Sequence, residues 1–66
     1  MHWNNIEEIA GYLEESYAEE EIPENNLLDL KEMILALPNF EDHEVEVTNF
    51  TLNQIIESWI YTRNGN

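Results

Sequence analysis

The densest mixture of potential metal ligands in the sequence is the segment from Glu41 to Glu44, which reads Glu-Asp-His-Glu. Carboxylates combined with an imidazole suit iron or manganese. The segment lacks the regular oxygen ligands and the glycine of a calcium-binding loop, so calcium is disfavoured. We therefore predict a weak metal site at Glu41, Asp42 and His43 that draws on more than one segment. The alternative is a solvated acidic loop.

The acidic residues near the N-terminus have a spacing that argues against an ion site. Glu7 and Glu14 are seven residues apart, as are Glu8 and Glu15, which separates each pair by about 10 Å along a helix. Oxygen ligands lie about 2–2.6 Å from an ion, so neither pair can share one. Only Glu15 and Glu19 have the i, i+4 spacing of an intrahelical chelate. The pattern favours a broad anionic surface for a basic partner, with solubility alone as the alternative.

Catalytic chemistry has little support in the sequence. A nucleophilic triad needs a serine held against a histidine base, and no spacing ties Ser16 or Ser58 to His2 or His43. The chain has no cysteine, and its two glycines are too far apart to form a phosphate-binding loop. We therefore expect a protein that is not an enzyme and that carries no tightly bound cofactor.

Charge and composition limit the classes of molecule that the protein can bind. The 66 residues include 15 acidic residues but only two Lys or Arg, which gives a formal net charge of -13. Lys31 and Arg63 cannot together form a surface for nucleic acid phosphates, so direct nucleic acid binding is disfavoured. Hydrophobic residues make up 42% of the chain, which favours a folded protein over an acidic disordered one. We expect residues 1–66 to form one small domain and the protein to be a monomer.

The sequence predicts no targeting or membrane segment. The N-terminal residues lack the cationic and apolar regions of a signal peptide. The longest apolar run, Met33 to Leu37, is much shorter than the roughly 20 residues that a bilayer span needs. The absence of cysteine fits a reducing compartment. We therefore expect a cytoplasmic protein without membrane contact.

Apolar spacing predicts a first helix over about residues 5–18. Its apolar face consists of Ile6, Ile9, Ala10, Leu13 and Tyr17. The acidic residues Glu7, Glu8, Glu14 and Glu15 are expected on the opposite side. Asn5 is the predicted N-cap, and Glu8 would complete a capping box with it. Acidic residues 19–21 and Pro23 are expected to end the helix.

The second predicted helix, about residues 26–36, is apolar on two sides. One face consists of Leu27, Leu30, Met33, Ile34 and Leu37. Leu28 and Leu35 form a second stripe, which we expect to be buried; exposure to a partner is the alternative. Pro38 ends the helix. Residues 45–48 alternate in polarity as in a short extended segment.

The third predicted helix, about residues 49–62, has one apolar face. That face consists of Leu52, Ile55, Ile56, Trp59 and Ile60. Its start has two candidates: Thr51, with Phe50 stapled onto Ile55, or Thr48 one turn earlier. We expect Trp59 in the core, Trp3 as a lid over the helix ends, and Tyr61 exposed. Residues 64–66 should fray. The predicted fold class is all-α, a compact three-helix domain with little or no β-structure.

Several short motifs follow one another along nearly the whole chain. They are Trp3, Glu8-Ile9, Leu13, Tyr17, the acidic bend ending at Pro23, Asp29-Leu30, Leu37-Pro38-Asn39-Phe40-Glu41-Asp42, and the run Leu52, Ile55 and Trp59. In order and spacing this chain resembles the small acidic IscX proteins of iron–sulfur cluster assembly. It departs from them at Met33, where the family has tryptophan, and at Tyr61-Thr62-Arg63, where the family ending is acidic.

The resemblance implies a helical domain with a winged-helix-like arrangement that does not use DNA. It implies an accessory protein that binds the cysteine desulfurase of the assembly machinery through an acidic face and binds ferrous iron weakly. The acidic positions that match are Glu8, Glu19, Glu21, Asp29, Glu41 and Asp42. With Glu15 and Glu32 added on charge grounds, the predicted partner-binding residues are Glu8, Glu15, Glu19, Glu21, Asp29 and Glu32.

Small size and strong negative charge also fit a second class of protein. An acidic DNA mimic, of the anti-restriction or anti-CRISPR type, inhibits a nucleic-acid-binding protein by presenting carboxylates at phosphate-like spacing. We therefore carry this alternative beside the accessory-protein hypothesis.

Overall fold

The computed structural model describes residues 1–65 and contains three helices. Helix α1 is Ile6–Ser16, α2 is Leu27–Leu35 and α3 is Asn49–Arg63. The all-α prediction is confirmed: residues 1–65 contain no strand, and residues 45–48 have irregular backbone. The winged-helix-like arrangement is not confirmed. The tail that was expected to fray ends at Asn66, which lies outside the described residues.

The three helices bury their apolar faces in one common core. Helices α1 and α3 form the largest interface, and α2 packs against both. The largest fully buried side chains are Ile9, Leu13, Leu30, Ile34, Ile55 and Trp59. Trp59 is thus in the core, as its position on the apolar stripe predicted. Helices α1 and α3 share the largest interface, and the acidic bend, residues 17–26, follows α1 and leads into α2.

Trp3 closes one end of the core, as predicted. Its side chain is buried, and its ring meets the edge of Phe40 with the centroids 4.6 Å apart. The indole Nε1 donates to the carbonyl oxygens of Asp42 and Val45 at 3.2 and 3.1 Å. These contacts join the segment before α1 to the loop between α2 and α3, about forty residues later in the chain.

The N-terminal caps of α1 and α3 differ in part from those that the sequence predicts. Asn5 precedes α1 but makes no side-chain bond to its amides, so the predicted capping box with Glu8 is wrong. The Asn5 Oδ1 accepts instead from the backbone N–H of His2 at 2.9 Å. In α3 the cap is Thr48, whose Oγ1 accepts from the N–H of Thr51 at 3.2 Å. Thr51 as the start of α3 is therefore wrong.

The earlier start of α3 also moves the apolar staple that fixes its entry. Phe50 is 70% exposed, so the predicted packing of Phe50 onto the buried Ile55 is wrong. With Thr48 as the cap, the staple positions are Val47 and Leu52. Val47 is half-buried against the core and Leu52 is buried, which matches the exposure pattern of a staple.

The second apolar stripe of α2 divides between core and solvent. Leu35 packs partly against the core, but Leu28 is 70% exposed. The expectation of a buried stripe is therefore wrong at Leu28. Tyr61 is exposed, as predicted. None of the helices in residues 1–65 is both long enough and apolar enough to cross a membrane.

Candidate functional site

All six acidic residues that were predicted to bind a partner are exposed. They are Glu8, Glu15, Glu19, Glu21, Asp29 and Glu32. Two lie on α1, two in the bend between α1 and α2, and two on α2. Within residues 1–65 none of their carboxylates makes a hydrogen bond or an ion pair. An exposed carboxylate without an internal partner remains available to a cation on another molecule.

Surface depressions bring some of these residues together. Glu15 and Glu19 line one shallow groove at the end of α1. Glu21 and Asp29 line a larger open cleft of about 770 Å³. Glu8 and Glu32 line neither of these two depressions. The predicted partner-binding residues therefore form two local groups and two outlying positions.

The larger cleft lies between the acidic bend and the C-terminal end of α3. Turns in the bend form one side: the N–H of Glu24 donates to the Ile22 carbonyl at 2.8 Å, and that of Asn26 to the Pro23 carbonyl at 3.3 Å. Asn26 then begins α2, because its Oδ1 accepts from the N–H of Asp29 at 3.1 Å. These local bonds set the position of Asp29 relative to the bend.

Glu14 does not belong to the exposed acidic face. Its Oε1 accepts from the indole Nε1 of Trp59 at 3.0 Å and from Nε of Arg63 at 2.8 Å. These hydrogen bonds, first from Arg63 and then from Trp59, lower the pKa of the Glu14 carboxyl below its ordinary value. The prediction that Glu14 lies opposite the apolar face is therefore wrong. It lies beside that face and joins α1 to α3.

Arg63 is a structural residue that the sequence reasoning missed. Besides Glu14, its guanidinium donates to the carbonyl oxygen of Tyr17 at 2.7 Å and to that of Glu20. It also lies over the Trp59 ring, 5.3 Å from the centroid. One cation therefore satisfies carbonyl groups just beyond the C-terminus of α1, where helices leave acceptors unpaired. Its spacing of four residues after Trp59 is the signal that could have revealed it.

The structure does not gather the three predicted metal ligands. His43 turns its Nε2 to the carbonyl oxygen of Phe40, 3.0 Å away. Glu41 Oε2 lies 3.0 Å from the N-terminal ammonium and 3.2 Å from Nε2 of His2. Asp42 Oδ1 lies 2.8 Å from Nδ1 of the same His2. In residues 1–65 no three His, Asp or Glu side chains are arranged to hold one ion.

Asp42 instead fastens the N-terminal segment to the loop after α2. One carboxylate oxygen meets His2, and the other accepts from the N–H of Trp3 at 3.1 Å. The hydrogen bond with His2 and then the one from Trp3 lower the pKa of Asp42. The N-terminal ammonium, followed by His2, lowers the pKa of Glu41. Both carboxylates are therefore held in their anionic form at neutral pH.

Comparison with known families identifies the chain. A sequence model described as iron–sulphur cluster assembly matches residues 1–64. The chain belongs to this family. It is the IscX-type family of iron–sulfur cluster assembly proteins, so the resemblance found in the sequence is confirmed. Neither curated proteins nor solved structures gave a significant match.

The motif residues that carry the family resemblance have mainly structural roles here. Trp3 and Phe40 pack together, and Asp42 binds the backbone of Trp3. Trp59 fills the core. The aromatic residues of the IscX-type motifs therefore account for the fold, whereas the matching acidic residues of α1, the bend and α2 are exposed.

Proposed function

We propose that this protein is a non-catalytic accessory protein of iron–sulfur cluster assembly that binds the host's cysteine desulfurase through an acidic face. Family membership supports a role in cluster assembly. The observation that carries the proposal is that some carboxylates are engaged inside the protein while others are exposed. Glu14, Glu41 and Asp42 are engaged inside the protein, whereas the six predicted partner-binding carboxylates are exposed and unpaired.

The charge of the protein supports a basic partner surface. The net charge is -13, and Arg63, one of its two Lys or Arg residues, is bound to Glu14 and to backbone carbonyls. The charge of Arg63 therefore compensates that of Glu14, and the six predicted partner-binding carboxylates have no ion-pair partner within residues 1–65. An anionic surface of this kind speeds association with a positively charged protein and makes binding sensitive to salt.

Affinity capture tests the proposal. The tagged protein is incubated with purified cysteine desulfurase of its host at low salt and at raised salt. We expect capture at low salt and a marked loss at raised salt, because screening weakens interactions between exposed charges. Failure to capture the desulfurase at low salt would contradict the proposal.

Weak binding of ferrous iron forms the second part of the proposal, with iron as a transient cargo. Glu41 and Asp42 supply adjacent anionic carboxylates, a donor type that suits iron. The present arrangement does not fit a resident ion, because His2 engages both carboxylates and His43 is turned to Phe40. Iron must displace these contacts, so its affinity should be low.

A titration followed by amide chemical shifts tests the iron site. Addition of ferrous iron should move the amide signals of residues 39–44 at lower iron concentrations than those of acidic residues elsewhere in the chain. Shifts spread evenly over all the acidic residues, or none at millimolar iron, would exclude a site in this loop.

We also propose that the protein is a monomer in the cytoplasm, where the cluster assembly machinery is its partner, and that it does not contact a membrane. The DNA-mimic hypothesis draws no support from the family match. Capture of the desulfurase together with no binding to nucleic-acid-processing enzymes would separate the two hypotheses.

A further inference from the structure

The open cleft beside the acidic bend combines an apolar floor with an acidic rim. Ile22, Pro23 and Ile60 are half-buried and line it together with the exposed residues Glu21, Glu24 and Asp29. Ile22 and Ile60 also pack against the core, so the floor is part of the folded domain. At about 770 Å³, the cleft has room for a long side chain and the backbone that carries it.

The charges around the cleft favour a cation. Its lining has three carboxylates and one guanidinium, that of Arg63. Arg63 is paired with Glu14, which lies outside the lining, so its charge is already compensated. The three carboxylates at the rim are left without a cationic partner in residues 1–65.

The two helix ends at the cleft have opposite electrostatic effects. The C-terminal end of α3, with Ile60, Arg63 and Asn64, presents partial negative charge that favours a cation. The N-terminal end of α2 presents partial positive charge, but Asp29 lies in its first turn and the Asn26 side chain caps it. The local field of the cleft is therefore negative.

An arginine side chain matches both parts of this cleft. Its aliphatic stem can lie along apolar surface while its charged head stays at the wet rim. The guanidinium carries five donors and is more weakly hydrated than an ammonium, which suits several carboxylates spread around one opening. A lysine ammonium satisfies fewer of them.

We propose that the cleft is the binding site for an arginine side chain that projects from the basic partner protein. Ile22 and Ile60 contact the aliphatic stem of this arginine, and Glu21, Glu24 and Asp29 bind its guanidinium. The inference rests on the proposed function for the identity of the partner. It adds Ile22, Glu24 and Ile60 to the six predicted partner-binding residues.

The first test uses the protein alone and a small probe. N-acetyl-arginine amide is titrated into the labelled wild-type protein, with N-acetyl-lysine amide as the comparison. We expect amide shifts at Ile22, Glu24 and Ile60 at millimolar probe, and smaller shifts with the lysine compound. Equal shifts with both probes, or arginine-induced shifts elsewhere, would overturn the assignment.

The second test uses two double variants that each replace one branched aliphatic residue by serine and one glutamate by glutamine. Ile22→Ser with Glu24→Gln alters the cleft, whereas Leu28→Ser with Glu57→Gln alters exposed residues outside it. The cleft variant should bind the desulfurase about twofold to fivefold more weakly than the control variant, the size expected for an exposed ion pair. Circular dichroism confirms that both are folded.

The two tests separate this inference from the proposed function. If the wild-type protein does not bind the desulfurase but the arginine probe moves the amide signals of the cleft residues, the desulfurase proposal is wrong and the arginine-binding site is supported. If the wild-type protein binds the desulfurase and the two double variants bind it equally, the arginine-binding site is wrong and the proposed function is supported.

Discussion

The indole Nε1 of Trp59 donates a hydrogen bond of 3.0 Å to the Glu14 carboxylate across the interface between α1 and α3. Trp59 is otherwise fully buried, so this bond satisfies the one polar atom that the ring carries into the core. Arg63, one turn later on α3, binds the same carboxylate oxygen. Glu14 therefore holds the end of α3 against α1, beside the bend that contains Glu19 and Glu21.

Replacement of Glu14 by glutamine should destabilise the fold. The glutamine amide oxygen could still accept from Trp59, but the substitution removes the charge that pairs with Arg63. The matched control is Glu15→Gln, an exposed position where the change should stay within about 0.5 kcal/mol of the wild type. Urea unfolding measures both. Equal midpoints for the two variants would contradict the role of Glu14.

Stability should fall on acidification because three carboxyls have lowered pKa values in the folded state. Hydrogen bonds from Arg63, from the N-terminal ammonium and from His2 lower the pKa of Glu14, Glu41 and Asp42 respectively. The unfolded chain, in which these carboxyls have ordinary pKa values of about 4, takes up protons first as the pH falls. The stabilisation is therefore complete above that range and is lost as the pH drops through the lowered folded pKa values.

The measurement is the free energy of unfolding between about pH 7 and pH 3. The variant Asp42→Asn should lose less stability over this range than the wild type, since it lacks one of the carboxyls that link folding to pH. A slope equal to that of the wild type would show that Asp42 does not contribute.

Replacement of Gly11 by alanine should stabilise the protein. Gly11 lies within α1, and a Cβ added there meets nothing within 4 Å. Alanine in a helix interior is favoured over glycine by about 0.8–1.0 kcal/mol. Thermal unfolding should therefore show a raised midpoint. A lowered midpoint would mean that α1 is not helical at this position.

Removal of the Thr48 hydroxyl should weaken the start of α3. Its Oγ1 accepts from the N–H of Thr51, and loss of such a cap costs about 1 kcal/mol. We expect Thr48→Ala to lower the free energy of unfolding by that amount and Thr48→Ser to retain most of it. If Thr48→Ser were as destabilised as Thr48→Ala, the hydroxyl bond would not be the cause.

The three helices could be predicted because each carries apolar residues at a 3.6-residue period. In α1 and α3 the period also indicates one buried face, whereas the second stripe of α2 left its burial open. The ends of the helices were less certain. Thr48 and Thr51 both offer a cap three residues before a suitable partner, and in the structure the hydrogen bond from the Thr51 N–H to Oγ1 of Thr48 distinguishes them. Local sequence lacks that information.

The direction of Glu14 also depends on tertiary structure. Glu14 follows Ala10 by four residues, so it lies at the edge of the apolar stripe, where a side chain can turn towards solvent or towards a neighbour. Its partners Trp59 and Arg63 lie on α3, more than forty residues later. A single helix pattern cannot reveal a partner at that distance.

The candidate metal loop illustrates the same limit. The sequence places His43 beside Glu41 and Asp42, but the imidazole that meets these carboxylates belongs to His2. Adjacent residues in a turn point in different directions, and here His43 faces the Phe40 carbonyl. Residue types predicted the acidic character of the loop, whereas the fold decided which side chains meet.

Calorimetric titration with the host's cysteine desulfurase at low salt tests the central claim most directly. One variant combines E19Q, E21Q and D29N on the predicted face; the control combines E44Q, E46Q and E57Q, which are also exposed. Both variants lose three negative charges. We predict that the face variant binds about tenfold more weakly, a change of about 1.4 kcal/mol, and that the control stays close to the wild type. Equal weakening in both variants, or no binding by the wild type, would contradict an acidic docking face.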